Sequence, residues 1–308
     1  MSSHPDRGEG VVVGVDIGGT KTAVLCVDEA SGDEIGRERF ATPHDAGPDH
    51  MLVHLHKTID ELRTRCGGGP LRAIGVAVPG QVDTEGNVLG AGNLRGWTGL
   101  PLGDLMQKRL GVPAFIEHDA NCGALGEQWR GCATELRDFV FLALGTGLGA
   151  GIVVDKKLYR GAHHAAGEVG SLVPGRHQLG QPSIGQHLGE LAGGRTIRTK
   201  AKKAVGHTIS AADAIRDASS DERLEPLAED VTDYVGLVIL ALAAVLDPEA
   251  IVLGGGTAEA GDELLDRLRD KVKPNLVAPL RLVRASLGVD AQAYGAICGA
   301  MRLLRREA

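Results

Sequence analysis

The sequence predicts a two-domain α/β protein built from a duplicated unit, and three observations lead there. The chain has 308 residues, 43% of them hydrophobic, which is enough for a sizeable core and suggests two domains rather than one. Apolar β-branched runs alternate with segments of helical period, the pattern of an open α/β sheet. One strand–glycine turn–strand unit occurs twice: under a single constant offset Val13 falls on Val140, Val15 on Leu142, Gly18 on Gly145, Thr22 on Gly149 and Asp28 on Asp155. Chance likeness between two glycine-rich hairpins is the competing explanation of that repeat.

Taken in order, residues 11–15 and 23–27 are strands joined by a Gly-Gly turn, a hairpin signal. Residues 34–40 alternate as a third strand. Leu52, Leu55, Ile59 and Leu62 mark a helix over 49–66, stopped by glycines. Residues 73–78 form a short strand ending at Pro79-Gly80, followed by a small hairpin over 82–92. Trp97 reads as a packing anchor, and residues 102–110 as a helix. A strand over 113–117 runs into a helix over 120–129, and strands are expected over 139–144 and 151–155. Helices follow over 183–203, 210–218 and 228–246, the last a buried one. A strand at 251–253 leads into Gly254-Gly255-Gly256 and a helix over 259–269. A final helix over 291–305 carries Gly295 and Gly299 as a close-packing face.

Composition narrows the function. The net charge of −7 leaves no electrostatic footprint for nucleic acid, so an anionic substrate needs local positive groups or a metal. The 45 glycines follow no period, which indicates tight turns rather than a fibrous chain. The five cysteines, Cys26, Cys66, Cys122, Cys132 and Cys298, are scattered and never spaced C-x-x-C. That pattern suits a reducing compartment and argues against a cysteine zinc site. The first ten residues are polar and are expected to be disordered. They lack an apolar signal core, and the longest apolar run is too short to span a bilayer. A cytoplasmic protein without membrane partners is expected.

The chemistry concentrates at the turns. In Asp16-Ile17-Gly18-Gly19-Thr20-Lys21 the glycines admit close approach to backbone. Successive N–H groups with the Thr20 hydroxyl and Lys21 ammonium suit phosphate, and Asp16 suits a metal-bound water. An ordinary hairpin whose Asp fixes the turn is the alternative. The second turn, Gly145-Thr146-Gly147, repeats the phosphate features, but Ala143 stands where Asp16 stands. One metal-organising acid would serve one shared site. Asp119, at a strand-to-helix junction, reads either as an N-cap or as a group at the place where α/β sheets put their chemistry. The Asn93 amide, which donates and accepts, suits sugar hydroxyls. Gly254-Gly255-Gly256 lets a flat ring or a ribose lie on backbone. His163, His164, His177 and His187 lack ligand spacing on a helix and read as surface or substrate-facing groups.

In this order the motifs resemble the ROK family of sugar kinases and repressors, from about Val11 to about Leu304. The resemblance rests on Asp16-Ile-Gly-Gly-Thr-Lys21, Val78-Pro79-Gly80, Asn93-Leu94-x-Gly96-Trp97, Asp119-Ala-Asn121, Leu144-Gly-Thr-Gly-Leu-Gly149, Ala166-Gly-Glu168-Val-Gly170, and Asp247-Pro248 through Leu253-Gly-Gly-Gly256. It implies an actin-like (ribonuclease H-like) ATPase fold with the active site in an interdomain cleft. The smaller N-terminal domain would cover 11–117 plus 293–308, and the larger C-terminal domain 118–292. Asp119 would be the general base for a sugar hydroxyl. Asp16, Gly18, Gly19, Thr20, Lys21, Gly145, Thr146, Gly147, Gly254, Gly255 and Gly256 would hold nucleotide and phosphate. Gly80, Asn93, His118, Asp119, Glu168 and Glu190 would face the sugar. ATP and Mg²⁺ are the implied cofactors, and a homodimer the implied assembly.

Three departures from the family pattern stand out. The cysteine-rich zinc motif is absent, since residues 176–190 contain no Cys, so no structural zinc is expected. Ser171 replaces a His that usually ligates zinc and touches sugar, and Glu190 is a candidate for the Glu that ends the motif. His118 replaces the Asn that usually precedes the catalytic Asp, bringing a different reach and a pH-dependent charge. The expected activity is an ATP-dependent hexose kinase, foremost a glucokinase acting on the 6-hydroxyl. The alternatives are a kinase for an N-acetylhexosamine, mannose or fructose, a sugar-responsive repressor, and a sugar-binding protein without turnover. Polyphosphate is the alternative donor.

Overall fold

A computed structural model describes residues 10–43, 47–67, 69–91, 94–180 and 187–307. They form two compact units, each with its own core. The first comprises Met1–Arg130, Ala162–His164 and Asp290–Ala308, and the second Gly131–Gly161 and Ala165–Val289. The expected disordered segment 1–10 lies, but for Gly10, outside the described residues, as does Asn93.

In the first unit, strands β1 (Val11–Ile17), β2 (Lys21–Asp28) and β3 (Glu34–Ala41) form a meander, followed by helix α1 (Gly47–Arg65). Next come β4 (Leu71–Val78), the small hairpin β5 (Gln81–Val82) and β6 (Val88–Gly90), α2 (Leu102–Leu110), β7 (Ala114–His118) and α3 (Asp119–Arg130). The sheet order is β3-β2-β1-β4-β7, with β1, β4 and β7 mutually parallel. β1 and β4 are almost wholly buried, as near-continuous Val/Ala/Ile runs in a two-sided parallel sheet must be. One face is covered by α1 through Met51, Leu52, Leu55, Ile59 and Leu62, with Trp97 (3% exposed) in the same core. Asp49 in the first turn of α1 and Arg63 and Arg65 in the last complement the helix dipole.

The second unit repeats that plan. Strands β8 (Phe139–Leu144), β9 (Leu148–Val154) and β10 (Lys157–Tyr159) form the meander. The helices α4 (Leu188–Leu191), α5 (Gly194–Val205), α6 (Ala211–Arg216) and α7 (Glu225–Leu246) come next. Then follow β11 (Ala250–Gly254), α8 (Asp262–Val272) and β12 (Arg281–Arg284), in the order β10-β9-β8-β11-β12. Both sheets place the first strand between an antiparallel second strand and a parallel fourth one, so the duplication is one of topology. The constant offset inferred from sequence does not hold, however. Ile17 pairs with Thr22 but Leu144 with Leu148, so the second turn is one residue shorter. By register the counterpart of Thr22 is Leu148, not Gly149, and that of Asp28 is Val154, not Asp155.

The last helix, α9 (Ala291–Glu307), belongs to the first unit, packed on β1, β4 and α3. Its glycines are a close-packing face, as expected. A Cβ on Gly295 would lie 1.7 Å from the Cys122 carbonyl oxygen, and one on Gly75 of β4 would lie 1.9 Å from that of Ala296. The first unit includes α3, so it extends past residue 117, where the resemblance closes the first stretch of the smaller domain.

Other expectations need correction. The single helix over 183–203 is two, α4 and α5, broken at Ala192 and Gly193. There the chain crowds the second glycine turn, and a Cβ on Gly193 would lie 2.5 Å from the Thr146 carbonyl oxygen. The helix expected over 259–269 begins at Asp262, after a short 3₁₀ turn and Gly261 at φ 74°. α7 is not buried all round: Val235, Val238 and Ile239 face the core, while Leu237 and Val245 are 49% and 81% exposed. β10 and β12 were not anticipated.

Candidate active site

Parallel strands β1, β4 and β7 end at the same edge of the first sheet, the edge where open α/β sheets gather their chemistry. Asp16 is the next-to-last residue of β1, Pro79-Gly80 follows β4, and Asp119 follows β7. Three expected site positions, far apart in sequence, thus fall along one edge.

Asp119 opens α3, its side chain one-third exposed. Its Oδ1 accepts from the Ala120 N–H at 2.6 Å and lies 3.1 Å from His118 Nε2. Beneath it, Glu117 Oε1, buried, accepts from the His118 N–H at 2.9 Å and from the Asn121 amide at 3.0 Å. The sequence reading passed over this Glu117–Asn121 brace. Its only sequence signal is the i, i+4 spacing of an acid and an amide across a strand-to-helix junction.

Asp16 is partly buried, and its carboxyl is pushed up to about 8. Burial is the main cause, the nearby Asp119 and Asp290 carboxylates add to it, and Arg39 opposes it. Asp16 and Asp119 therefore share one electrostatic environment. An acid held this way suits a divalent cation. Among the described residues no group of three or more His, Cys, Asp or Glu could hold a metal. A single carboxylate is nonetheless what Mg²⁺ needs when phosphate and water fill its other positions. Cys122 sits in the same region, its thiol held well above the usual range by burial and by Glu117, Asp119 and Asp16, which removes it as a nucleophile.

The first glycine turn is clamped from β3. The Gly18 N–H closes the turn onto the Lys21 carbonyl at 3.0 Å, the Thr42 hydroxyl donates to the Gly18 carbonyl at 2.7 Å, and the Thr42 N–H donates to the Thr20 carbonyl at 3.1 Å. Thr20 and Lys21 are exposed. Thr42 escaped the sequence reading because its partners lie two strands away. Gly80, at φ 109°, has a fold-level reason to be glycine, since a Cβ would meet the Gly90 carbonyl oxygen at 1.8 Å.

In the second unit, the Gly145 N–H likewise closes its turn, onto Gly147 at 3.1 Å, and the Gly145 carbonyl accepts from the Gly194 N–H at the start of α5. The Thr257 N–H donates to the Leu144 carbonyl at 2.9 Å. The turn, the α5 N-terminus and residues 254–257 therefore converge. Aligned N–H groups at a helix start favour an anion. The glycines there divide into two kinds. Gly254 packs on the Phe141 ring and Gly255, at φ 87°, on the Leu144 backbone, whereas Gly145 and Gly256 face open space. Glu168 is partly buried before a 3₁₀ turn over Val169–Ser171. Glu190 is exposed in α4, its carboxylate capping its own helix at the His187 N–H, 3.3 Å away.

Comparison with known proteins gives one consistent result. A family model described as the ROK family matches residues 12–306. A glucokinase of Streptomyces coelicolor is 30% identical, covering 93% of this chain and 96% of its own. The bifunctional enzyme NanE/NanK of Brucella melitensis is 34% identical over 92% of this chain and 52% of its own length. A crystal structure of a ROK family glucokinase from Streptomyces griseus, in complex with glucose and AMPPNP, superposes with a TM-score of 0.82. It is 28% identical and covers 95% of this chain and all of that one.

Proposed function

The chain belongs to the ROK family and has its actin-like ATPase fold, and on that premise we propose that it is an ATP-dependent hexose kinase, foremost a glucokinase. The observation that carries this reading is Asp119, one-third exposed at the chemical edge of the first sheet, with one carboxylate oxygen accepting from the Ala120 N–H and 3.1 Å from His118 Nε2. A sugar hydroxyl is a poor nucleophile. A carboxylate within hydrogen-bond reach of its proton contributes roughly 10²–10⁴-fold as general base. The remaining acceleration comes from positioning and charge neutralisation at the transferring phosphoryl group. In each turn the first glycine's N–H is already engaged, so phosphate contacts fall to Gly19, Thr20 and Lys21 in one turn and to Thr146 and Gly147 in the other. Asp16 would hold Mg²⁺, which when bound neutralises phosphate charge. Gly254, Gly255 and Gly256 would lie by the adenosine, and Gly80, Asn93, His118, Glu168 and Glu190 by the sugar. Glu190 has the weakest support, because its carboxylate already caps its own helix.

Glucose as acceptor is supported by the glucokinase relatives. Among the described residues no helix is long and apolar enough to cross a membrane. A cytoplasmic homodimer completes the proposal, and light scattering on the purified chain tests the dimer. Turnover measured with ATP or polyphosphate against glucose, mannose, fructose and N-acetylated hexosamines tests the rest. The proposal expects the highest kcat/KM for ATP with glucose. A preference for an N-acetylated sugar moves it to the runner-up, and no phosphorylation of any sugar ends it.

A further inference from the structure

Two nitrogens approach the Asp119 carboxylate at the same oxygen, Oδ1: the Ala120 N–H, hydrogen-bonded at 2.6 Å, and His118 Nε2, in contact at 3.1 Å. An ionised carboxylate only accepts, so the imidazole nitrogen facing it carries the hydrogen. His118 is itself held. It ends β7 in register with Val78, its N–H is tied to Glu117, and its side chain is only 11% exposed. The same Glu117 holds Asn121 in the first turn of α3, so ring and carboxylate are fixed to one frame. Charged groups near the pair include Glu117 on β7 and Asp16 at the end of β1.

We propose that His118 is the positioning residue of the Asp119 base, its Nε2–H holding Oδ1 so that Oδ2 is the oxygen presented to the sugar hydroxyl. This rests on the reading of Asp119 as general base and changes the role expected for His118, from sugar contact to support of the acid. The step itself is a proton transfer: Oδ2 takes the hydroxyl proton as the sugar oxygen bonds to the γ-phosphorus and the bond to the departing ADP oxygen breaks. His118 neither gains nor loses a proton in it. Orientation by a third group is a recurrent need of catalytic bases.

The test is a set of variants at 118, alone and combined with Asp119→Asn. His118→Ala is expected to lower kcat about 10- to 100-fold while sugar affinity, measured by calorimetry with the sugar alone, changes less than about 3-fold. His118→Gln, whose amide nitrogen reaches about as far as Nε2, recovers most of the loss. His118→Asn, shorter in reach, recovers little and gives the same comparison where the alanine variant fails to fold. In the Asp119→Asn background, His118→Ala has no further effect. Sugar affinity weakened 10-fold at unchanged kcat makes His118 a sugar contact and overturns the proposal. An equal fall of kcat in both backgrounds overturns it too. Full turnover by Asp119→Asn alone removes the base reading first, and this inference with it.

Discussion

The two units share one strand order and one glycine turn, yet the acids at the strand ends, Asp16 and Asp119, are both in the first. Register fixes the counterparts. Val15 pairs with Val76 and Leu142 with Leu253, while Val76 pairs with Ile116 and Leu253 with Arg284. By this register Asp16 corresponds to Ala143. The second turn keeps the backbone features and has a methyl group where the first has a carboxylate. On the proposed reading, phosphate-binding backbone would be useful twice, because a nucleotide has several phosphates to hold, whereas a base and a metal-organising carboxylate would be useful once.

This comparison can be broken by restoring the missing acid. Ala143 is 8% exposed in β8 between Gly149 and Gly254. Ala143→Asp is expected to cost roughly 2–4 kcal/mol, the penalty of burying a polar group without partners, with no gain in turnover. Denaturant unfolding beside a kinase assay checks both. Retained stability with higher turnover would mean that the second turn was an acid site in waiting. In the first unit, Gly75→Ala drives a methyl group against the Ala296 carbonyl of α9. Overpacking there costs roughly 1–3 kcal/mol, read as a lower denaturation midpoint.

Asp16 sharpens the contrast through pH. Its folded-state pKa is raised to about 8 from an ordinary 3.8. Between those values the folded chain keeps a proton the unfolded chain has lost, so this contribution to stability is full below about 3.8, fades as pH rises and levels off above about 8. Asp16→Asn removes the fade. Without Mg²⁺ and ATP, the variant should match the parent near pH 4.5 and exceed it by on the order of 1–2 kcal/mol near pH 8, while losing most Mg²⁺-supported turnover. A parallel pH dependence of the two midpoints contradicts this account. The smallest effect falls on α7, which follows the meander of the second unit as α1 does in the first. Val245→Ser, on its exposed face, should stay within about 0.5 kcal/mol of the parent.

Local signals carried much of the fold. The hairpin of β1 and β2, the extent of α2, the strand β8 and the glycine face of α9 were legible because period, β-branching and turn residues act over a few positions. What escaped depends on partners distant in sequence. β12 is four residues, Arg281–Arg284, and is a strand only because β11 pairs with it. The break at Ala192 and Gly193 is set by the turn it crowds, and the one-residue slip of the repeat shows only in strand register. At the candidate site, the motifs named Asp16, His118 and Asp119, and the fold brings the ends of β1 and β7 that carry them to one sheet edge. The Thr42 clamp and the Glu117–Asn121 brace were not, since neither residue type nor spacing marks them.

The central claim is that the carboxylate at the start of α3 removes the proton of the sugar hydroxyl. Asp119→Asn keeps its size while removing its basicity. Measured at saturating ATP and sugar, with sugar affinity followed separately by calorimetry, the variant should lose about 10²–10⁴-fold in kcat and little in sugar binding. Turnover within a few-fold of the parent at normal sugar affinity would contradict the account.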